Sequence, residues 1–304
     1  MVALVRNNSF ILALALVVGV AAGQGADYTR TWVTPLLAVI MTLSLVGVSS
    51  DVFHGGVRLV RPALLALVLN YAVLGGVLML LAFAMLDDPE LRAGYVLIAA
   101  VPPAVAVIPF TYRLGGNVNF TLVGSIAGHL GAFILTPLVT FLALGASLVQ
   151  PSQLLTSLVQ LIALPFAASR LLRRSGRVVA WLNIHRGGLV NWGFFVVVYT
   201  IIGLNRAAFL DPTATLIRVA IISGLGTFGL AYAVFAVAGL AGVKRQDRIS
   251  YAVMGAWKNY GLAGAIALLY FGETAALPAA VTTAFAIVNF ILLGTTIAVR
   301  RTAV

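Results

Sequence analysis

Read for hydropathy alone, the chain is a succession of long apolar runs punctuated by short clusters of proline, glycine and charged residues. Taking those clusters as boundaries predicts ten helices. The first five fall at about 9–23, 33–50, 62–86, 93–113 and 118–148, and the second five at about 152–171, 187–204, 214–242, 249–271 and 276–299. Most of these runs suit a hydrocarbon layer about 30 Å thick, which a helix crosses in about 20 residues. The first is short. Arg6, the apolar stretch from Phe10 to Ala22 and the small residues at Gly23–Ala26 also match the layout of a cleavable secretory signal, the alternative to a short first span. Between the sixth and seventh runs lies the basic stretch Arg170–Arg177, and the following segment, Val178–Gly188 with Trp181, is expected to lie flat in the membrane interface.

Composition sharpens this picture. Of 304 residues, 62% are apolar and only 9% charged, against about a quarter charged in soluble proteins. The expected class is therefore an all-α polytopic membrane protein, a single membrane domain over 1–304 with the lipid bilayer as its main partner. A formal charge of +11 would suit a nucleic-acid partner if the charges formed a patch on a soluble face, but they fall between spans, so no nucleic acid is called for. With ten spans both termini share one side. That side carries Arg6, Arg58, Arg61, Arg113, Arg170, Arg173, Arg174, Arg177, Arg186, Lys244, Arg245, Arg248, Arg300 and Arg301, whereas the other carries only Arg30, Arg92, Arg206 and Arg218. This asymmetry predicts cytoplasmic termini, in an inner (plasma) membrane of bacterial or archaeal type. The absence of cysteine removes disulfides, thiolate metal sites and cysteine catalysis.

The two halves, 1–150 and 151–304, each hold five runs. An odd number means that a second copy in the same internal order enters the membrane upside down, an arrangement common to carriers. The fourth and ninth runs match in detail. Asp87-Asp-Pro-Glu-Leu-Arg92 leads to Pro102-Pro103 and Pro109, and Lys244-Arg-Gln-Asp-Arg248 leads to Trp257-Lys-Asn-Tyr-Gly261. About eleven residues separate polar cluster from interruption in both, which puts each break roughly 16 Å deep, near the midplane. Prolines remove backbone donors, and a broken helix at that depth needs a cavity or surrounding protein.

Lys258 is the first candidate for function, because an ammonium at the bilayer centre costs several kcal/mol unless paired or hydrated. Its stem, roughly 6 Å long, is too short to reach bulk water from that depth. No Asp or Glu lies within a predicted span, so its partners are expected among backbone carbonyls, a half-helix C-terminus, water or an anionic substrate. Asn259, Asn70, Thr121, Ser125 and His129 are the other polar groups at depth. Thr121, Ser125 and His129 are spaced by four and share a helix face; His129 serves equally as a packing residue or a proton carrier. Arg113 is expected to mark the cytoplasmic boundary. No P-loop, His-Glu-x-x-His or Gly-x-Ser-x-Gly motif occurs, and no metal-ligand cluster. Without a visible nucleophile and base or carboxylate pair, an enzyme is not expected.

Pro102-Pro-Ala-Val-Ala-Val-Ile-Pro-Phe-Thr-Tyr-Arg-Leu-Gly-Gly-Asn-Val118, followed by Thr121 and Ser125, resembles the broken fourth helix and next span of the bile acid:sodium symporter family, within the bile/arsenite/riboflavin transporter superfamily. Trp257-Lys-Asn-Tyr-Gly-Leu-Ala-Gly264 resembles its ninth-helix segment. Ile40–Phe53 and Arg61-Pro62 up to Asn70 are similar to its second and third helices. The resemblance implies a panel domain beside a core domain, discontinuous helices 4 and 9 crossing at the substrate site, and an elevator-like movement carrying organic anions with two sodium ions behind the crossover. The implied sodium positions are degenerate here. Val107 and Ile108 stand for a Ser-Asn pair, Met254 for a Glu and Lys258 for a Gln, while Thr121, Ser125 and Asn70 keep oxygen ligands.

The expected function is thus a secondary transporter of a small organic anion, with Pro102, Pro103, Ile108, Pro109, Asn70, Thr121, Ser125, His129, Lys258 and Asn259 around the substrate or coupling site. No cofactor is called for, and Lys258 takes over the sodium charge, leaving coupling to protons, exchange or facilitated movement. A sodium-coupled symporter with a shifted ion site is the near alternative, and a channel or non-transporting receptor the distant one. Arsenite carriers of the superfamily rely on a cysteine that is missing.

Overall fold

The computed structural model describes residues 8–47, 56–104, 106–145, 151–210 and 213–297. Arg6, Asp51, Val105, Asp211, Arg300 and Arg301 lie outside them, as do residues 146–150 beside the expected boundary between halves. Among the described residues there is helix and turn without strand, and seven stretches are long and apolar enough to cross a membrane. Large apolar side chains such as Leu80, Ile134, Leu142 and Val237 point outward. Exposed apolar surface on this scale is stable only against lipid, so the chain is an integral membrane protein.

In chain order the main helices are α1 (Asn8–Ala22), α2 (Val33–Val46), α3 (Gly56–Met85) and α4 (Pro89–Ala100). Next come α5 (Val107–Leu114), α6 (Val118–Leu144), α7 (Ser152–Leu172) and α8 (Gly176–Leu204). The last four are α9 (Ala214–Leu240), α10 (Arg245–Met254), α11 (Tyr260–Tyr270) and α12 (Glu273–Thr296). Single turns over 23–32 join α1 to α2. Gly23 and Ala26 in that connection touch Gly203 near the end of α8, while Gly47 at the far end of α2 touches Arg186. The chain therefore turns back there, and α2 runs antiparallel to α8.

Two interruptions matter most, and local chemistry explains both. The Asp88 carboxylate caps α4 by accepting from Glu90 N at 2.8 Å and Leu91 N at 3.2 Å, with Pro89 at the first helical position where no donor is needed. The helix stops at Ala100 because Val101, ahead of Pro102, is forced into extended backbone (φ −71°, ψ 158°). It resumes as α5 and closes at Gly115, whose φ of 77° is open to glycine without strain. In the second interruption α10 ends at Met254, and α11 begins only after Asn259 caps it, its Oδ1 accepting from Leu262 N at 3.1 Å.

The helices pack as two sets. α1 and α2 lie along α8, and α7 packs on α2. The other set is built from α3, α4, α5, α6, α9, α10, α11 and α12, in which α4 packs on α11 while α5 packs on α10. Each half of one interrupted helix thus meets the opposite half of the other. At one end the two sets are joined by an ion pair, Arg30 Nη1 to Glu273 Oε1 at 2.8 Å.

One expectation is corrected. The segment 178–188 does not lie flat in the interface but forms the first turns of the continuous helix α8. Ser175 starts it by accepting from Val178 N, and Leu182 packs into a cluster with Leu43 and Val46 of α2. Glycines 187 and 188 are tolerated because each costs a helix only about 1 kcal/mol relative to alanine, less than this packing supplies.

The hinge of the α1–α2 connection on α8 sets the spacing of the first set. A Cβ on Gly203 would lie 2.7 Å from Ala26 Cβ and 3.1 Å from Gly23 Cα. Gly203→Val is expected to destabilise the protein by about 1–3 kcal/mol through overpacking, read as a lowered unfolding midpoint in detergent.

Candidate functional site

The site grows from the backbone groups that the two interruptions release. Where α4 ends, four successive carbonyls lose their helical partners, and each finds another donor. Ala99 O and Val101 O accept from Lys258 Nζ at 2.7 and 2.9 Å. Ala100 O accepts from Thr136 Oγ1 at 2.8 Å, and Pro102 O from Asn259 N at 2.9 Å. The last of these ties one interruption directly to the other. On the opposite side Asn70 Nδ2 donates to Met254 O at 2.9 Å and Trp257 O at 3.0 Å, the carbonyls freed at the end of α10.

Lys258 is fully buried. Its ammonium sits 3.9 Å from the centre of the Tyr71 ring, and Tyr71 OH in turn donates to Gly128 O at 3.0 Å. Among the described residues no carboxylate pairs with it. The charge is met instead by the C-terminal end of α4, where the helix dipole is negative, and by the face of an aromatic ring. Carbonyls at a half-helix C-terminus are among the partners that the sequence leaves open for Lys258; the Tyr71 ring is not.

Beside the crossover lies a cavity of about 850 Å³. It separates α2 and α8 of the first set from α5, α11 and α12 of the second. Both half-helices α5 and α11 start at its wall, through Ala106, Ile108 and Pro109 and through Asn259, Tyr260 and Gly261. From Lys258 and Asn259 it runs to Gly47, Arg113 and Arg186 at the helix ends. Its sides are largely apolar, with Ile40, Val198, Ile287 and Phe290, and no Asp or Glu lines it among the described residues.

The structure sorts the expected site residues. Ile108, Pro109, Lys258 and Asn259 line the cavity. Pro102 and Pro103 are buried behind it, with Pro103 packed on Gly128, where a side chain would collide. Asn70 is 1% exposed and bound to the second interruption. Thr121 is buried, its hydroxyl donating to Val118 O at 3.0 Å. Val107 and Met254 are fully buried, and the Met254 methyl faces Gly124. Ser125 and His129 belong to a second, smaller cavity of about 190 Å³, which shares Ile108 with the first. There His129 Nδ1 lies 2.6 Å from Ser125 O, and Nε2 is buried without a partner among the described residues. His129 and Lys258 are therefore not brought together.

Sequence reasoning treated Arg113 and Arg186 as topology signals and did not single out His185. All three line the main cavity. Their distance from Lys258 along the chain hid the fact, since only the antiparallel packing of α8 on α2 brings Arg186 beside Gly47.

The family model described as Sodium Bile acid symporter family matches residues 34–207, more than half the chain. The chain belongs to that family. Among its relatives, it is similar to the "Uncharacterized sodium-dependent transporter YocS" of Bacillus subtilis, at 23% identity over 258 residues, covering 83% of this chain and 79% of the relative. It is also similar to the "Probable sodium/metabolite cotransporter BASS1, chloroplastic" of Arabidopsis thaliana, at 26% identity over 162 residues, covering 51% of this chain and 40% of that protein. The protein is accordingly a membrane transporter of the sodium bile acid symporter family.

Sodium is the ion this family implies, and the residues at the crossover fit it poorly. Of the oxygens around the interruptions, Ala99 O, Val101 O, Met254 O and Trp257 O are already held by Lys258 and Asn70. Val107, Ile108 and Met254 offer no side-chain oxygen, and an ammonium repels a second cation. Asn70 Oδ1 is a buried acceptor without a partner among the described residues, while the Thr121 hydroxyl is turned to Val118 O and Ser125 faces the second cavity.

Because each donor satisfies two buried carbonyls, removing either is costly. Lys258→Met and Asn70→Leu are each expected to destabilise the protein by about 1–3 kcal/mol per carbonyl left unpaired. Unfolding followed by tryptophan fluorescence in mixed detergent measures this, and wild-type stability in either variant would remove these contacts from the account.

Proposed function

We propose that this transporter is a secondary carrier that moves a small organic anion without sodium. Ten spans form two inverted five-helix repeats, 1–150 and 151–304, with α4–α5 and α10–α11 as the discontinuous crossing helices. Here the turn at 23–32 separates the first two spans. α1, α2, α7 and α8 act as the panel domain, the remaining helices as the core domain, and an elevator-like movement of one against the other exposes the cavity to each side in turn. The termini are cytoplasmic, as the basic-residue asymmetry favours.

The observation that carries the sodium-independent reading is the placement of the Lys258 ammonium on Ala99 O and Val101 O without a carboxylate nearby. A fixed cation there neutralises the α4 C-terminus permanently, which in a sodium carrier is done only when the ion is bound. The crossover is then ready for substrate at any sodium concentration. Movement proceeds by exchange or facilitation, or with a proton carried by His129. The absence of acidic side chains among the described lining residues and the half-helix N-termini at the cavity wall favour an anion.

The names of both relatives favour a second reading, a sodium-coupled symporter with a shifted ion site. The two readings differ in one measurement. In proteoliposomes, counterflow of a labelled carboxylate is expected to be saturable and unchanged when external sodium is exchanged for choline. Strict sodium dependence would establish the symporter instead, and unsaturable flux would indicate a channel.

A further inference from the structure

The ionisable groups left unused by this reading are Arg113, His185 and Arg186. They are not scattered: all three line the same cavity, at the end away from Lys258. Arg113 stands in the last turn of α5 and is exposed. Arg186 is half-buried on α8, with its guanidinium against Gly47. Among the described residues the ion pairs are Arg30–Glu273 and Arg218–Asp87, and neither Arg113 nor Arg186 has a hydrogen-bond partner there. Arginine carries its charge at every physiological pH and presents a planar fork of donors matched to a carboxylate. Two such forks facing a space without acidic residues among the described lining make a local field that attracts anions.

Their placement adds a second point. Arg113 rides on α5 in the set built around the crossing helices, and Arg186 on α8 in the other set. They approach the cavity from the two bodies that an alternating-access movement would displace. Lys258 cannot do the same work, because it is 0% exposed and its ammonium is turned toward the α4 carbonyls.

Resting on the anion-carrier reading, we propose that Arg113 and Arg186 together recognise the substrate's charged end at the mouth of the cavity and set its preference for an anion over a neutral analogue. The apolar walls between them and Asn259 take the rest of the molecule. A volume of about 850 Å³ is at the upper end of the range for sites that enclose drug-sized ligands. Lys258 contributes to this site only by keeping the crossover neutralised.

The test compares binding of 4-phenylbutyrate and 4-phenylbutyramide to the purified full-length protein by calorimetry. Wild type is expected to prefer the carboxylate by about a hundredfold, roughly tenfold for each of two charge-assisted contacts. Arg113→Gln and Arg186→Gln should each weaken carboxylate binding by about tenfold and leave the amide unchanged. The double variant should bind both alike, while Arg113→Lys and Arg186→Lys retain most of the preference. Both positions are free of internal hydrogen bonds, so unfolding midpoints should stay at the wild-type value. A carboxylate preference that survives in the double variant overturns the assignment. If Lys258→Gln erases that preference instead, the anion-carrier reading stands and only this assignment falls. A wild-type protein with no preference for the carboxylate removes both.

Discussion

A helix broken in the middle of a membrane releases carbonyl groups where there is no water to receive them, and each one left bare costs on the order of a few kcal/mol. Everything distinctive about the centre of this protein answers that requirement. The end of α4 exposes Ala99, Ala100, Val101 and Pro102, and the fold supplies Lys258, Thr136 and the backbone of Asn259 to meet them. The end of α10 exposes Met254 and Trp257, which Asn70 meets. Because donors for one break come from the other break or from a neighbouring helix, the two interruptions stabilise each other and neither is expected to persist alone.

That arrangement also bears on energetics of transport. In the family to which this chain belongs, the name implies that a cation joins the substrate. A cation that arrives and leaves makes neutralisation of the crossover conditional, which is how coupling works. On the sodium-independent reading proposed above, an ammonium tethered to Trp257 and Asn259 by the chain itself makes it unconditional. The contribution of Lys258 is thus structural and electrostatic at once: it fills donor positions, and it holds positive charge at the α4 terminus without a diffusing partner. Tyr71 assists by offering its ring face to the same charge, and its hydroxyl anchors that ring to the α6 backbone.

The cavity beside the crossover belongs to a different part of the physics. Its walls come from both helix sets, so its shape depends on how they sit against each other, and the Arg30–Glu273 pair joins the sets at the end away from Arg113 and Arg186. Exposed ion pairs of this kind contribute little to stability, about 0–1 kcal/mol. That weakness suits a contact that would open in the proposed movement of the two sets.

Several features were legible in the sequence because they follow from local chemistry. Long apolar runs dictate a membrane protein, Pro102-Pro103 must end a helix, and a lysine without a carboxylate at the same depth must find carbonyls or a ligand. Other features have no local signature. That the Lys258 ammonium turns to the end of α4 rather than into the cavity, that His129 faces a separate small cavity, and that Arg186 stands over Gly47 all depend on which helices lie side by side. Val178–Gly188 reads as an interfacial segment by Trp181 and the basic stretch before it, yet Leu182 finds Leu43 and Val46 and the segment continues as helix. Hydropathy and backbone donors are properties of a residue and its neighbours in the chain. Partners for a buried charge are chosen by contacts across more than a hundred residues, which only the packed structure brings within reach.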